Sequence, residues 1–124
     1  MINVLIFNEF SHEKQWEALR KPYPQYIHGA LKAAVESEDV KVKCVTLEDE
    51  DCGINDQVLK ETDVLIWWGH ALHHLVPDHV VDCIQRAVLN GMGFIALHSS
   101  HVSKPFTRLM GTSCTLKWRD NDRE

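Results

Sequence analysis

Three apolar runs that do not alternate with polar residues constrain this chain most: Ile2-Asn3-Val4-Leu5-Ile6-Phe7, Val64-Leu65-Ile66-Trp67-Trp68 and Phe94-Ile95-Ala96-Leu97. A strand with one wet face alternates apolar and polar side chains, whereas a strand covered on both faces does not. Strands of the second kind belong to parallel sheets, whose crossover helices cover each face. The intervening segments supply such helices. Ile27, Ala30, Leu31, Ala34 and Val35 recur at helical spacing. Residues 54–61 read as a short helix with Ile54, Val58 and Leu59 inward. Pro77 suits the first turn of a helix that buries Val80, Val81, Ile84, Ala87 and Val88, and Asn90-Gly91 supplies a left-handed stop. Ser103 is expected to cap a last helix ending near Gly111. Val40, Val42, Cys44 and Val45 stand among Lys41, Lys43 and Thr46, which predicts an edge strand with one wetter face.

Strand, helix, strand, helix in this order implies parallel strands joined by right-handed crossovers. The predicted fold is a doubly wound, flavodoxin-like α/β sheet of order 2-1-3-4, which puts the alternating second strand at the edge. Strands one, three and four are then neighbours, and their carboxyl ends flank the crevice where open α/β sheets bind ligands. At 124 residues the chain is expected to be one domain, 1–124, with a single core.

Charge and cysteine usage narrow the function. A formal net charge of -5 with no basic cluster argues against a nucleic-acid surface. The acidic run Glu48 to Asp51 reads as a solvated loop. No apolar run approaches the length of a membrane span, and the chain opens directly into a strand pattern with no signal-peptide signature. Cys44, Cys52, Cys83 and Cys114 form no C-x-x-C pair and read as free thiols, so a cytoplasmic location is expected. Gly91-Met92-Gly93 lacks dinucleotide-loop spacing and no glycine-rich phosphate loop follows strand one, so there is no nucleotide or flavin signal.

Six of the eight histidines fall just beyond the three central strand ends. His12 follows strand one; His70, His73 and His74 follow strand three; His98 and His101 bracket Ser99-Ser100 after strand four. Only His28 and His79 lie elsewhere, within predicted helices. Converging imidazoles suit acid–base chemistry near neutral pH or a metal centre. Glu9 and Glu13 offer a carboxylate as ligand, as base or as the acceptor that fixes a ring tautomer. The plainer alternative stays open, because polar residues collect in loops and a lone loop histidine is commonly only solvated. No spacing matches H-E-x-x-H or a structural zinc module. Leu97-His98-Ser99 resembles a strand-to-turn nucleophile elbow without its glycines, and Ser99 or Ser100 would need a histidine as base. Trp67 and Trp68 could stack on a sugar, but aromatics that end a central strand are more often core.

The stretches VLIFNEFSHE, DVLIWWGHALHHLV and GFIALHSSHVSKPFTRLMGTSCTLKWR resemble the trehalose-utilisation (ThuA-like) proteins from about Val4 to Arg119. That family is grouped with class I glutamine amidotransferase-like folds, so the resemblance independently implies the doubly wound sheet. It also implies a role in using trehalose or related disaccharides, including 3-keto derivatives. Family members continue for roughly another such length, so the resemblance implies that this chain holds the N-terminal part of the family domain. The matching positions are Asn8, Glu9, His12 and Glu13; Gly69, His70 and His73; and His98, Ser99, His101, Ser103 and Lys104. Amidotransferases carry their catalytic cysteine where this chain has His98, so glutamine hydrolysis by that route is not expected.

The resulting expectation is an enzyme that hydrolyses, isomerises or eliminates from a sugar or keto-sugar. Glu13, His98 and His101 would carry the chemistry, and Asn8, Glu9, Ser99 and Lys104 would hold the substrate. His12, His70, His73 and His98 are the candidate ligands of a divalent metal such as zinc. The rival is a non-catalytic sugar-binding or accessory protein, or a short form inactive without a partner chain. An open edge after strand four favours pairing with another chain, so a homo-oligomer is expected, with no nucleic acid or membrane as partner.

Overall fold

The computed structural model describes residues 1–117, so Trp118 and Arg119 at the end of the last motif lie outside the described residues. Four parallel strands form one sheet in the order β2-β1-β3-β4, as the apolar pattern predicts. They are β1 (Ile2–Asn8), β2 (Val40–Thr46), β3 (Val64–Trp68) and β4 (Gly93–Ala96). The helices are α1 (His12–Gln15), α2 (Glu17–Arg20), α3 (Tyr26–Val35), α4 (Asp56–Lys60), α5 (Asp78–Leu89) and α6 (Lys104–Met110). Short 3-10 turns occupy Glu50–Gly53, His73–Leu75 and Ser100–Val102.

Register places Ile6 beside Cys44 on one side and Ile66 on the other, and Ile66 beside Ile95. Paired residues of parallel strands point to the same face, so the sheet has two distinct apolar sides. On one side Leu5, Phe7, Leu65 and Trp67 pack against Leu59 of α4 and Val80, Val81 and Ile84 of α5. Trp67 stacks on Phe7 with ring centroids 3.8 Å apart, which assigns it to the core. On the other side Val4, Ile6, Val42 and Ile66 lie under Leu31 and Val35 of α3.

Several local expectations are adjusted. No residue of α3 is fully buried, and Ala30 and Ala34 face solvent. The helix contacts β1 and β2, which leaves β4 bare on that side, where Ile95 is 47% exposed. The helix expected over 54–61 begins at Asp56, because Asn55 takes the N-cap position and its Oδ1 accepts from the Val58 N–H at 2.9 Å. Ile54 stays extended but buried. Pro77 is the N-cap of α5 rather than a residue of its first turn. Ser103 occupies the N-cap of α6, yet its hydroxyl makes no capping bond. Pro105, the second helical residue, has no N–H to offer it. Gly111 ends α6 in the left-handed conformation, as expected. The four cysteines are free thiols.

Candidate functional site

The loops that leave β1, β3 and β4 meet at the carboxyl end of the sheet, and a buried carboxylate organises them. Glu9, at the end of β1, is 3% exposed. Its Oε2 accepts from the His70 N–H (3.0 Å) and the Ala71 N–H (3.1 Å); its Oε1 accepts from the Ala71 N–H (3.1 Å) and from the Leu72 N–H. Three successive amides around one carboxylate form an anion nest, here filled by the protein's own side chain. The effect is to clamp the loop after β3 onto the end of β1, which aims His70. Gly69 begins that loop, and a Cβ there would stand 3.2 Å from His73 Nδ1, so a side chain would require the imidazole to shift by a few tenths of an ångström. The Gly69 N–H donates to Ser100 Oγ at 2.9 Å, tying in the loop after β4.

The imidazoles then come together. His70 Nδ1 is hydrogen-bonded to Ser99 Oγ. The His70 ring meets the His12 ring edge to face at 4.9 Å between centroids, and His12 in turn meets Trp68 at 5.9 Å. His98 and His101 have ring centroids 6.5 Å apart. His73 lies between the two groups: burial pushes its pKa down, the Glu9 carboxylate opposes that, and His70 and His101 push it down further. His73 is therefore neutral near pH 7. Among the described residues two buried imidazole nitrogens, His73 Nε2 and His101 Nδ1, have no protein partner, and neither do Glu13 Oε2 and Ser103 Oγ.

Other expected site residues are committed elsewhere. Glu9 was expected to bind substrate, but its oxygens are filled by backbone amides. Asn8, expected in the same role, is fully buried: its Oδ1 accepts from the Phe10 N–H at 2.9 Å and its Nδ2 donates to Glu13 Oε1 at 2.7 Å. Glu13 is also fully buried, and Oε1 accepts a second bond from the Ile27 N–H at 3.2 Å, so it pins α3 to the end of β1. Lys104 Nζ donates to the Val76 carbonyl at 2.7 Å and to Asp78 Oδ1 at 2.9 Å, joining α6 to the start of α5. His79 pairs with Asp51 at 2.7 Å on the outer surface.

His28 is a member of this end that sequence reasoning set aside. Because the Phe10 N–H fixes Asn8 Oδ1, Asn8 Nδ2 must face Glu13 and His28, whose Nδ1 lies 3.0 Å away and accepts. That assigns the His28 proton to Nε2, and burial lowers its pKa, with Glu13 and Asp49 opposing. The available signal was its position. The first turn of a crossover helix starts at the sheet end where the preceding strand finishes. Trp16 was likewise missed; it lies 6.4 Å from His12 between ring centroids and is 60% exposed.

Among the described residues no three His, Cys, Asp or Glu side chains are grouped to hold an ion. His70 Nδ1 is engaged by Ser99 and the Glu9 carboxylate by amides. A larger open groove, of about 550 Å³ and lined by Asp56, Asp63, Cys83, Arg86 and Asn90, sits at the opposite, amino end of the strands. In it Arg86 pairs with Asp56 at 3.2 Å, and Asp63 Oδ2 accepts from the Asn3 N–H at 2.7 Å.

No curated protein matches the chain. A family model described as trehalose utilisation matches residues 3–123, nearly all of it. With the 2-1-3-4 parallel sheet already in hand, this match shows that the chain belongs to the trehalose utilisation (ThuA) family.

Proposed function

We propose that the histidine end of the sheet is the active site of an enzyme that acts on a sugar or keto-sugar in the use of trehalose or a related disaccharide. The observation that carries this reading is the pair of buried imidazole nitrogens, His73 Nε2 and His101 Nδ1, that no protein group satisfies. A buried polar group left unpaired costs about 1–3 kcal/mol. Both atoms are closed to solvent, so a ligand rich in hydroxyls offsets that cost only by displacing the groups that cover them.

In this reading His70 is the acid–base group. The Glu9 nest holds its backbone, and Ser99 holds its ring from Nδ1, so Nε2 is the nitrogen free to exchange a proton with substrate. His73, neutral because burial lowers its pKa, accepts or donates a hydrogen bond without bringing charge into the site. His98 and His101 complete the set from the loop after β4. Glu13 acts at one remove: it orients Asn8, which orients His28.

A metal is the second reading, favoured by His73 Nε2, which has no hydrogen-bond partner among the described residues. If the rings reorient, His12, His70, His73 and His98 are the residues that would hold a divalent ion, which would polarise a sugar carbonyl. Elemental analysis of chelator-washed protein tests it: near-stoichiometric metal lost in His70→Ala/His98→Ala supports a metal centre, and none retained in wild type counts against it.

The enzymatic reading is tested by turnover of trehalose and 3-keto-disaccharides by wild type, His70→Ala and His98→Ala. Loss of a positioned acid–base group is expected to lower kcat about 100-fold or more. Unchanged turnover in both variants would sink the assignment. Saturable sugar binding with no product from wild type would instead favour a binding protein.

A further inference from the structure

One large aromatic side chain at this end of the sheet is mostly exposed to solvent. Trp67 is core, and Trp68 is half-buried with its Nε1 donating to the His98 carbonyl at 3.0 Å. Trp16, by contrast, is 60% exposed although its backbone is held on both sides: its N–H donates to the His12 carbonyl at 2.9 Å and its carbonyl accepts from the Leu19 N–H at 3.0 Å. A large apolar ring is thus presented to water from a fixed hinge between α1 and α2. Exposing an indole forgoes the stabilisation that burying it would give.

What stands beside that ring matters more than the exposure. Trp16 faces His12 with ring planes 30° apart and centroids separated by 6.4 Å. His12 continues to His70 at 4.9 Å and to Trp68 at 5.9 Å. The rings therefore form a continuous row, Trp16–His12–His70, that ends on the proposed acid–base group. Trp16 lies one imidazole farther out than the reacting position. Exposed polar residues, Gln15 and Glu17, flank it in the chain.

Resting on the sugar-processing reading of the crevice, we infer that Trp16 is the stacking platform for the pyranose ring adjacent to the reacting one, and so selects disaccharides over monosaccharides. A pyranose has one face of axial C–H groups that packs on an aromatic plane, while its equatorial hydroxyls stay free for polar neighbours. The reacting ring sits against His70, and its neighbour lies on Trp16 across His12. Trp67 and Trp68, by their pattern more often core than sugar-stacking, leave that role to the more exposed Trp16.

The test is titration of the full chain with trehalose and with glucose, followed by calorimetry or saturation-transfer NMR, for wild type, Trp16→Ala, Trp16→Tyr and His70→Ala. Trp16→Ala is expected to raise the trehalose Kd at least about 10-fold, within the range that losing one aromatic stacking contact produces. Trp16→Tyr is expected to stay within about 3-fold of wild type, and glucose binding to be unchanged in both. His70→Ala is expected to keep binding trehalose. Equal trehalose affinity in wild type and Trp16→Ala overturns the platform while leaving the sugar reading intact. Loss of glucose and trehalose together in Trp16→Ala, without rescue by tyrosine, overturns it as well. Wild type that binds neither sugar overturns the sugar reading and the platform with it. Because Trp16 is exposed, unchanged circular dichroism is expected for both of its variants.

Discussion

At the scale of single residues, Glu9 shows how a carboxylate in a histidine-rich loop can serve the backbone rather than the substrate. Each oxygen accepts from main-chain amides, and a glutamine of the same size would place an NH2 against donors. Glu9→Gln is therefore expected to lose about 2 kcal/mol of stability, the scale for hydrogen bonds to a charged group, readable in denaturant titration. The loop carrying His70 would loosen too, so turnover should fall along with stability. An undiminished midpoint would show that the nest contributes nothing. Gly69 sits under the same constraint from the other direction, since a side chain there meets the His73 ring.

Secondary-structure elements followed their sequence patterns where propensity and packing agreed, and shifted where a cap or a missing donor intervened. Asn55 is the clearest case: its side-chain bond to the Val58 N–H starts α4 two residues later than apolar spacing suggested. Asn55→Ala should cost about 1 kcal/mol by thermal or chemical denaturation, and Asn55→Asp much less. By comparison Ile84, fully buried between α5 and the sheet, should lose about 2–5 kcal/mol on truncation to alanine. If the two variants cost the same, the packing described for α5 is wrong. The exposed alanines of α3 teach the converse, because helical spacing records which face is apolar but not how much sheet lies beneath it.

For the molecule as a whole, titration of buried groups gives a pH signature at both ends. His28 and His73 have pKa values lowered by burial, so the unfolded chain binds their protons more readily than the folded one. Their contribution is fully present above about pH 7 and is lost as pH falls below about 6.5, the ordinary histidine value, toward their lowered values. Burial pushes the Cys52 thiol from 9.0 up to about 11, so its contribution is lost as pH rises through that interval. Denaturation midpoints measured from pH 5 to 10.5 should trace a plateau between these limbs. Replacing His28 and His73 with asparagine should flatten the acid limb, and an unchanged acid limb would show that these rings do not report folding.

Sequence alone pointed to the parallel sheet and its order, because the absence of alternation in residues 2–7 and 64–68 marks strands covered on both faces by crossover helices; the same pattern in 94–97 overstated its cover, since Ile95 is 47% exposed. It also assigned most histidines to one end of that sheet, since a loop that follows a parallel strand must start at the strand's carboxyl end. What it left undecided was which polar atoms would be used up inside the protein. Asn8, Glu9, Glu13 and Lys104 looked as available as His70, but Asn8, Glu9, Lys104 and one oxygen of Glu13 are engaged within the protein, Glu9 and Lys104 by residues far along the chain. Hydrogen-bond partners across 60 residues leave no local pattern, so only the folded chain could show that, among the described residues, His73 and His101 keep unpaired nitrogens and that Trp16 stays exposed.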